Sequence, residues 1–193
     1  MNLLLHKPHI AFLRWIWGSR LKKDDLVIDA TIGNGHDSSF LLKNLLPEGI
    51  LFGFDIQQQA IEATRVLIKN ENPLLEEKKA FFLEKKCHSL IDEIAYPKEV
   101  SLVIYNLGYL PGADKSVTTA TSTTLTSIKK ALLLLKSLGL ITITIYPGHT
   151  EGKNEANHIE AFIKTLDHKC FQILHFTIDK ENAPYVVVIQ KRS

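Results

Sequence analysis

Leu26-Val27-Ile28-Asp29-Ala30-Thr31-Ile32-Gly33-Asn34-Gly35-His36-Asp37 is the stretch on which the fold turns. A short apolar, β-branched run ends at an acid, passes through a turn with two glycines, and meets a second acid just before a helical pattern over Ser39 to Leu46. A strand that feeds a helix through a glycine turn is the opening unit of an open α/β sheet. Ligands of such sheets bind at the carboxyl ends of the strands, where this turn lies.

Working downstream, the helical pattern stops at Pro47-Glu48-Gly49, and Ile50 to Phe54 reads as a second strand ending at Asp55. Gln58 to Asn70 has apolar Ile61, Val66 and Leu67 among polar residues and reads as a helix. Ala80 to Leu83 is a third strand, followed by a short helix around Leu90 to Ala95. Val100 to Tyr105 is a fourth strand, Thr124 to Ser137 a long helix closed by Gly139, and Leu140 to Tyr146 a fifth strand. Asn154 to Leu166 reads as a helix, then Cys170 to Ile178 and Tyr185 to Ile189 as two strands joined by a hairpin over Asp179 to Pro184. Upstream, His9, Trp15 and Trp17 fall on an amphipathic helix whose role is core packing or partner contact. The expected fold is α/β: a Rossmann-like, seven-stranded, mostly parallel sheet with one antiparallel strand in a C-terminal hairpin, and helices on both faces. One domain over residues 1–193 is expected.

Composition agrees. The chain has 193 residues, 45% hydrophobic and 23% charged, enough for a full core without disulfide or metal staples. A net charge of +2 gives no general case for nucleic acid, though Lys7, Lys22, Lys23, Lys115 and Lys153 are candidates for a local basic rim. Cys87 and Cys170 are expected as reduced, buried thiols, and no Cys/His set has zinc spacing, so no metal is expected. The apolar run before Lys7 is too short for a signal peptide, and nothing approaches the ~18 apolar residues of a membrane span. A soluble, cytoplasmic protein with no membrane partner is expected.

The glycine turn is neither the dinucleotide G-x-G-x-x-G nor a P-loop. Gly33 and Gly35 let the backbone approach a ligand, while Asp29 and Asp37 would repel phosphate and attract an ammonium and a sulfonium. That combination suits S-adenosyl-L-methionine; the plainer reading of Asp37 is a charge at a helix start. Asp55 can accept both hydroxyls of a ribose, or cap the helix that follows Gln57, or do both. Gln57 is grouped with it as a cofactor-side residue. After the third strand, His88 or Ser89 is a candidate for the adenine edge, the alternative being a capping serine beside an exposed histidine.

The fourth strand runs into Asn106-Leu107-Gly108-Tyr109-Leu110-Pro111-Gly112. This N-x-x-Y pattern resembles the Asn-Pro-Pro-Tyr loop of methyltransferases acting on exocyclic amines, without its two prolines. The amide oxygen of Asn106 can orient an amine N–H, and Tyr109 can stack on a flat base or simply pack within a β-turn. Lys115 is either a phosphate contact or solvated. His149, after Tyr146-Pro147-Gly148, is either a proton acceptor for an ammonium substrate or a hydrogen-bonding residue.

Together, D-A-T-x-G-N-G-x-D, N-L-G-Y-L-P-G-x-D-K and Y-x-G-H resemble a bacterial family long labelled rRNA methylases and understood as the tRNA methyltransferases of 5-aminomethyl-2-thiouridine. The resemblance runs from about Lys7 to Lys191. It implies a class I fold, S-adenosyl-L-methionine as donor, and the wobble uridine of a tRNA anticodon arm as acceptor. Cofactor roles carry over to Asp29, Thr31, Gly33, Asn34, Gly35, Asp37 and Asp55. Substrate-side roles carry over to Asn106, Gly108, Tyr109 and Lys115, and the late histidine to His149. Ser38-Ser39, Ala113 and Pro147 depart from the family pattern. A homodimer is a further expectation, as an arrangement suited to gripping an anticodon arm. The alternatives are methylation of rRNA or a small amine, a nicotinamide oxidoreductase lacking its third glycine, and a non-catalytic nucleotide-binding module.

Overall fold

The structure, a computed structural model, describes residues 7–94, 98–108 and 119–193. Its elements are α1 (Pro8–Arg20), β1 (Leu26–Asp29), α2 (His36–Asn44), β2 (Ile50–Asp55), α3 (Gln58–Glu71), the single turn α4 (Leu74–Glu77), β3 (Phe81–Lys85), a 3₁₀ helix (His88–Glu93) and β4 (Val100–Asn106). There follow α5 (Thr121–Leu134), β5 (Leu135–Ile145), α6 (Thr150–Ile163), β6 (Phe171–Phe176) and β7 (Tyr185–Lys191). The strands form one sheet in the order β3-β2-β1-β4-β5-β7-β6. Neighbours from β3 through β5 are parallel, and β7 alone runs against both β5 and β6. The expected single reversed strand is therefore β7.

Burial follows from this layering. Val100 to Tyr105 of β4 are all buried, the signature of a central parallel strand covered on both faces. On one face Leu13 and Trp17 of α1, Leu41 and Leu42 of α2 and Ile68 of α3 pack against Val27, Leu51 and Leu102. On the other, Ile91, Ile128, Ala131, Ile159 and Ile163 cover Ile28, Val103 and Ile143. The amphipathic segment of the N-terminal region is thus core: Trp17 is fully buried and its Nε1 donates to Thr142 Oγ1 at 3.3 Å, whereas Trp15 is exposed.

Several boundaries differ from the expectation. The fifth helix ends at Leu134, three residues early, because Leu135 already pairs with Val100 in the sheet. Gly139 consequently closes no helix; it lies in β5, where a Cβ would stand 2.9 Å from the Val100 carbonyl. The sixth helix starts at Thr150 rather than Asn154. Both cysteines are free, but Cys170 is exposed and Cys87 only half-buried, which corrects the expectation of two buried thiols. Among the described residues no helix is long and apolar enough to cross a membrane, and no group of metal-binding side chains is assembled.

Candidate active site

Strand order reverses between β1 and β4, so the turns after these two strands flank one crevice at the carboxyl edge of the sheet. The turn after β1 is tightly built. Gly33 and Gly35 have φ of 53° and 77°, and Gly35 N donates to Ile32 O at 2.9 Å. A Cβ on Gly35 would come within 3.0 Å of Thr64 on α3, whose hydroxyl donates to Gly33 O at 3.0 Å. Asn34 lies half-buried between the two glycines.

Asp29 is buried under this turn. Its Oδ1 accepts from Thr31 N at 3.2 Å and its Oδ2 from Ser38 Oγ at 2.7 Å, so the departing serine of the sequence motif serves the acid directly. Burial, and then the negative charges of Asp37 and Asp55, push the Asp29 carboxyl up to about 7, against the pull of the Ser38 and Thr31 hydrogen bonds. Asp55 is half-buried and holds the turn from the next strand: Oδ2 accepts from Gly33 N at 3.1 Å and Oδ1 from Gln57 N at 2.9 Å. Gln57 thereby contributes its backbone, and Asp55 serves the start of α3 as well. Each oxygen of Asp55 keeps a lone pair for a diol.

Thr31 ties the two crevice walls together, since its Oγ1 accepts from Asn106 N at 2.6 Å. The Asn106 side chain reaches back across the crevice and donates from Nδ2 to Asp37 Oδ2 at 2.9 Å. Asp37, from the first turn of α2, thus meets the residue that ends β4, and among the described residues the Asn106 amide oxygen accepts no hydrogen bond. Gly108, with φ of 130°, follows, and Thr119 lies opposite it. Tyr109 and Lys115 lie outside the described residues.

His88 is buried, which rules out the reading of it as an exposed histidine beside a capping serine. It hydrogen-bonds the backbone of Ala30, its ring stands edge-on to Tyr105 at 6.1 Å, and its Nε2 has no partner among the described residues. Burial holds its pKa below the usual value. Ser89 Oγ donates to Cys87 Sγ at 3.1 Å, so neither residue matches the capping-serine alternative. His149 is the N-cap of α6, its Nδ1 accepting from Gly152 N at 2.9 Å.

Two residues at this edge were not singled out as site residues. His9, on α1, is buried, with Tyr146 edge-on at 6.2 Å, and the charge of Asp37 reaches both. Tyr146 stands next to the quoted Pro147-Gly148-His149 turn; His9 carried no signal beyond its place on the amphipathic helix. Of the candidate lysines, Lys22 and Lys23 precede β1 and so lie at the opposite, amino edge of the sheet, which removes them from any rim of the crevice. Lys7 before α1 and Lys153 in the first turns of α6 are exposed on the carboxyl side.

The donor set fits an adenosyl sulfonium compound. Asp55 offers acceptors for a ribose, and a buried acid raised by two neighbouring acids favours a cation over a phosphate. A Rossmann-like sheet with a reversed penultimate strand in spatial order, an acid-flanked glycine turn and an amide at the end of β4 define an S-adenosylmethionine-dependent methyltransferase. Comparison narrows the class: residues 51–191 match the family described as "Putative rRNA methylase", and the chain belongs to that family. It is 38% identical over 188 residues to the chloroplastic tRNA (mnm(5)s(2)U34)-methyltransferase of Arabidopsis thaliana, covering 92% of this chain and 67% of that protein. Among solved structures, the "putative rRNA-methylase" of Clostridium thermocellum superposes with a TM-score of 0.87 at 33% identity, over 97% of this chain and 100% of the other. A "putative methyltransferase" of Streptococcus mutans in complex with SAH gives 0.84 at 32% identity, over 97% and 99%.

Proposed function

We propose that this enzyme methylates the side-chain amine of 5-aminomethyl-2-thiouridine at the wobble position of tRNA, giving 5-methylaminomethyl-2-thiouridine. The observation that carries this reading is the Asn106 amide, held by Thr31 and Asp37 with its oxygen left to accept a hydrogen bond. An amine nucleophile needs an acceptor for its N–H so that the lone pair faces the methyl group. The similarity to the Arabidopsis protein named for this nucleoside supports the choice of tRNA over the rRNA of the family description.

When bound, S-adenosylmethionine supplies an electrophilic methyl group on a sulfonium. Asp29, Gly33, Asn34 and Gly35 form the floor of its site, Asp55 with Gln57 takes the ribose, and His88 Nε2 faces the base side as a buried polar group. Asp37 is shared: it favours positive charge in the crevice and fixes the Asn106 rotamer. Gly108, Tyr109 and Lys115 form the substrate side, with Tyr109 stacking on the uracil and Lys115 at a phosphate. His149 acts by positioning, its Nδ1 accepting the Gly152 N–H that opens α6. One domain carries both cofactor and RNA recognition, Lys7 and Lys153 contribute to the basic rim for the anticodon arm, and a homodimer in the compartment that holds the tRNA completes the reading.

The test is nucleoside mass spectrometry after incubating aminomethyl-bearing tRNA with the protein and methyl-labelled S-adenosylmethionine. Label on 5-aminomethyl-2-thiouridine is expected. Label absent there but present on rRNA would move the substrate to the ribosome.

A further inference from the structure

The apolar faces of β4 and β5 end in polar groups on the side that α1 and α2 cover. Leu102 and Ile104 of β4 and Leu140 of β5 pack under these helices, and at period two Asn106 and Tyr146 follow them on the same face. Helix α1 runs against β5: Trp17 meets Thr142 and, at the other end of the helix, His9 meets Tyr146. His9 therefore arrives at the carboxyl edge of the sheet on the face that carries Asn106. Asp37 is the common neighbour, bonded to Asn106 Nδ2 and near enough for its charge to act on both His9 and Tyr146.

His9 is only 6% exposed, and its Nδ1 is buried with no hydrogen-bond partner among the described residues. An atom left so costs about 1–3 kcal/mol, which a ligand N–H can recover. Burial, and then the charge of Lys7, hold the imidazole below its usual pKa against the pull of Asp37, so the ring is neutral near pH ~7 and carries an acceptor nitrogen. A carboxylate such as Asp37 favours an ammonium, which has no lone pair to offer a methyl group; a neutral imidazole accepts from the free amine.

A primary amine that turns its lone pair toward a methyl group has two N–H bonds left to place. Asn106 takes one in the reading above. We propose that His9 is a substrate-binding and specificity-determining residue, its Nδ1 accepting the second N–H, and that it thereby selects a primary amine and limits the product to one methyl group. This rests on the reading of an RNA amine as substrate. In the transfer the S–C bond breaks as the N–C bond forms. The nitrogen takes up the positive charge, the sulfur leaves as a neutral thioether, and both N–H bonds stay on their acceptors. A product that rebinds as the neutral secondary amine has one N–H for two acceptors, and its methyl is pressed against the other, which disfavours a second transfer.

The probe is an anticodon stem-loop bearing 5-aminomethyl-2-thiouridine with excess S-adenosylmethionine. Nucleoside mass spectrometry counts the methyl groups, and kcat/KM is followed against pH, for wild type, His9→Phe and His9→Ala. His9→Phe keeps a ring against Tyr146 and removes the nitrogens, so we expect a melting temperature near that of wild type and kcat lowered about tenfold. The substrate ammonium gives every protein a unit slope of log kcat/KM against pH. Neutral His9 adds a second unit below ~6.5, which both variants lose. His9→Ala opens room for a methyl group and yields doubly methylated nucleoside where wild type stops at one. Wild-type kcat in His9→Phe, a second unit of slope retained there, or single methylation by His9→Ala overturns the proposal while wild-type turnover keeps the functional reading. A wild type that methylates no such RNA overturns that reading and the His9 role together.

Discussion

Asn106 Nδ2 donates to Asp37 Oδ2 at 2.9 Å, joining the end of β4 to the first turn of α2 across the crevice between β1 and β4. The bond fixes which way the amide faces. With the NH₂ group bonded to Asp37, the proposed reading assigns the oxygen to a substrate N–H. An asparagine whose orientation is set before substrate arrives acts on the rate, because no reorganisation is left for the reaction itself.

Asn106→Ala is accordingly expected to lower kcat by about a hundredfold, with cofactor affinity changed only a few-fold. Single-turnover methylation and calorimetric titration with S-adenosylmethionine separate the two effects. An unchanged transfer rate would remove the amine-orienting role.

Asp55→Ala acts on binding. The side chain accepts from Gly33 N and Gln57 N and keeps lone pairs for a diol, so its loss both loosens the turn and removes the ribose acceptor. We expect cofactor affinity to fall by about 2 kcal/mol, roughly thirtyfold, with the melting temperature reduced as well. Asp55→Asn, which keeps one acceptor oxygen, should fall between. Equal affinity in all three proteins would mean that the ribose is held elsewhere.

For His149 the discriminating pair is His149→Asn and His149→Ala. Asparagine is a good N-cap and alanine a poor one, a difference of about 1 kcal/mol in helix stability. Since His149 Nδ1 caps Gly152 N, asparagine should retain most activity and alanine should lose stability and raise KM. A proton-accepting role makes the opposite forecast: both variants lose kcat, and the acid limb of the pH–rate profile disappears.

What the sequence made legible was whatever is local. Strand ends fall at Asp29 and Asp55, and β4 runs one residue past Tyr105 to Asn106, because apolar runs with period two or full burial end where polar residues begin. The reversed strand was legible from a six-residue connection too short for a crossover helix. Gly139 was misread because a glycine after a helical pattern looks like a C-cap, and only the pairing of Leu135 with Val100 shows that β5 has already begun. Lys22 and Lys23 were misplaced because charge says nothing about which edge of a sheet a residue occupies; their position before β1 does. His88 offered a buried ring where one reading of the turn left it exposed, and its packing edge-on to Tyr105 is a tertiary fact.

Asp29 sets the pH dependence. Burial, with Asp37 and Asp55 nearby, raises its carboxyl to about 7, while an unfolded chain releases that proton near ~4. Between these values the native state holds a proton that the unfolded state has lost, so stability declines as pH climbs from ~4 to about 7 and then levels. Cofactor binding runs the other way. A cationic ligand favours the ionised acid, so affinity should strengthen through about pH 7, by up to roughly tenfold per unit below it, with release of a proton on binding. Calorimetry at pH 6 in two buffers of different ionisation enthalpy measures that proton directly. Asp29→Asn keeps the shape, leaves Ser38 and Thr31 facing an amide, and should abolish both the proton release and the pH slope of affinity while weakening binding at pH 8. A variant that binds with the same pH slope as wild type would move the titrating group away from Asp29 and take the cation-selective floor of the glycine turn with it.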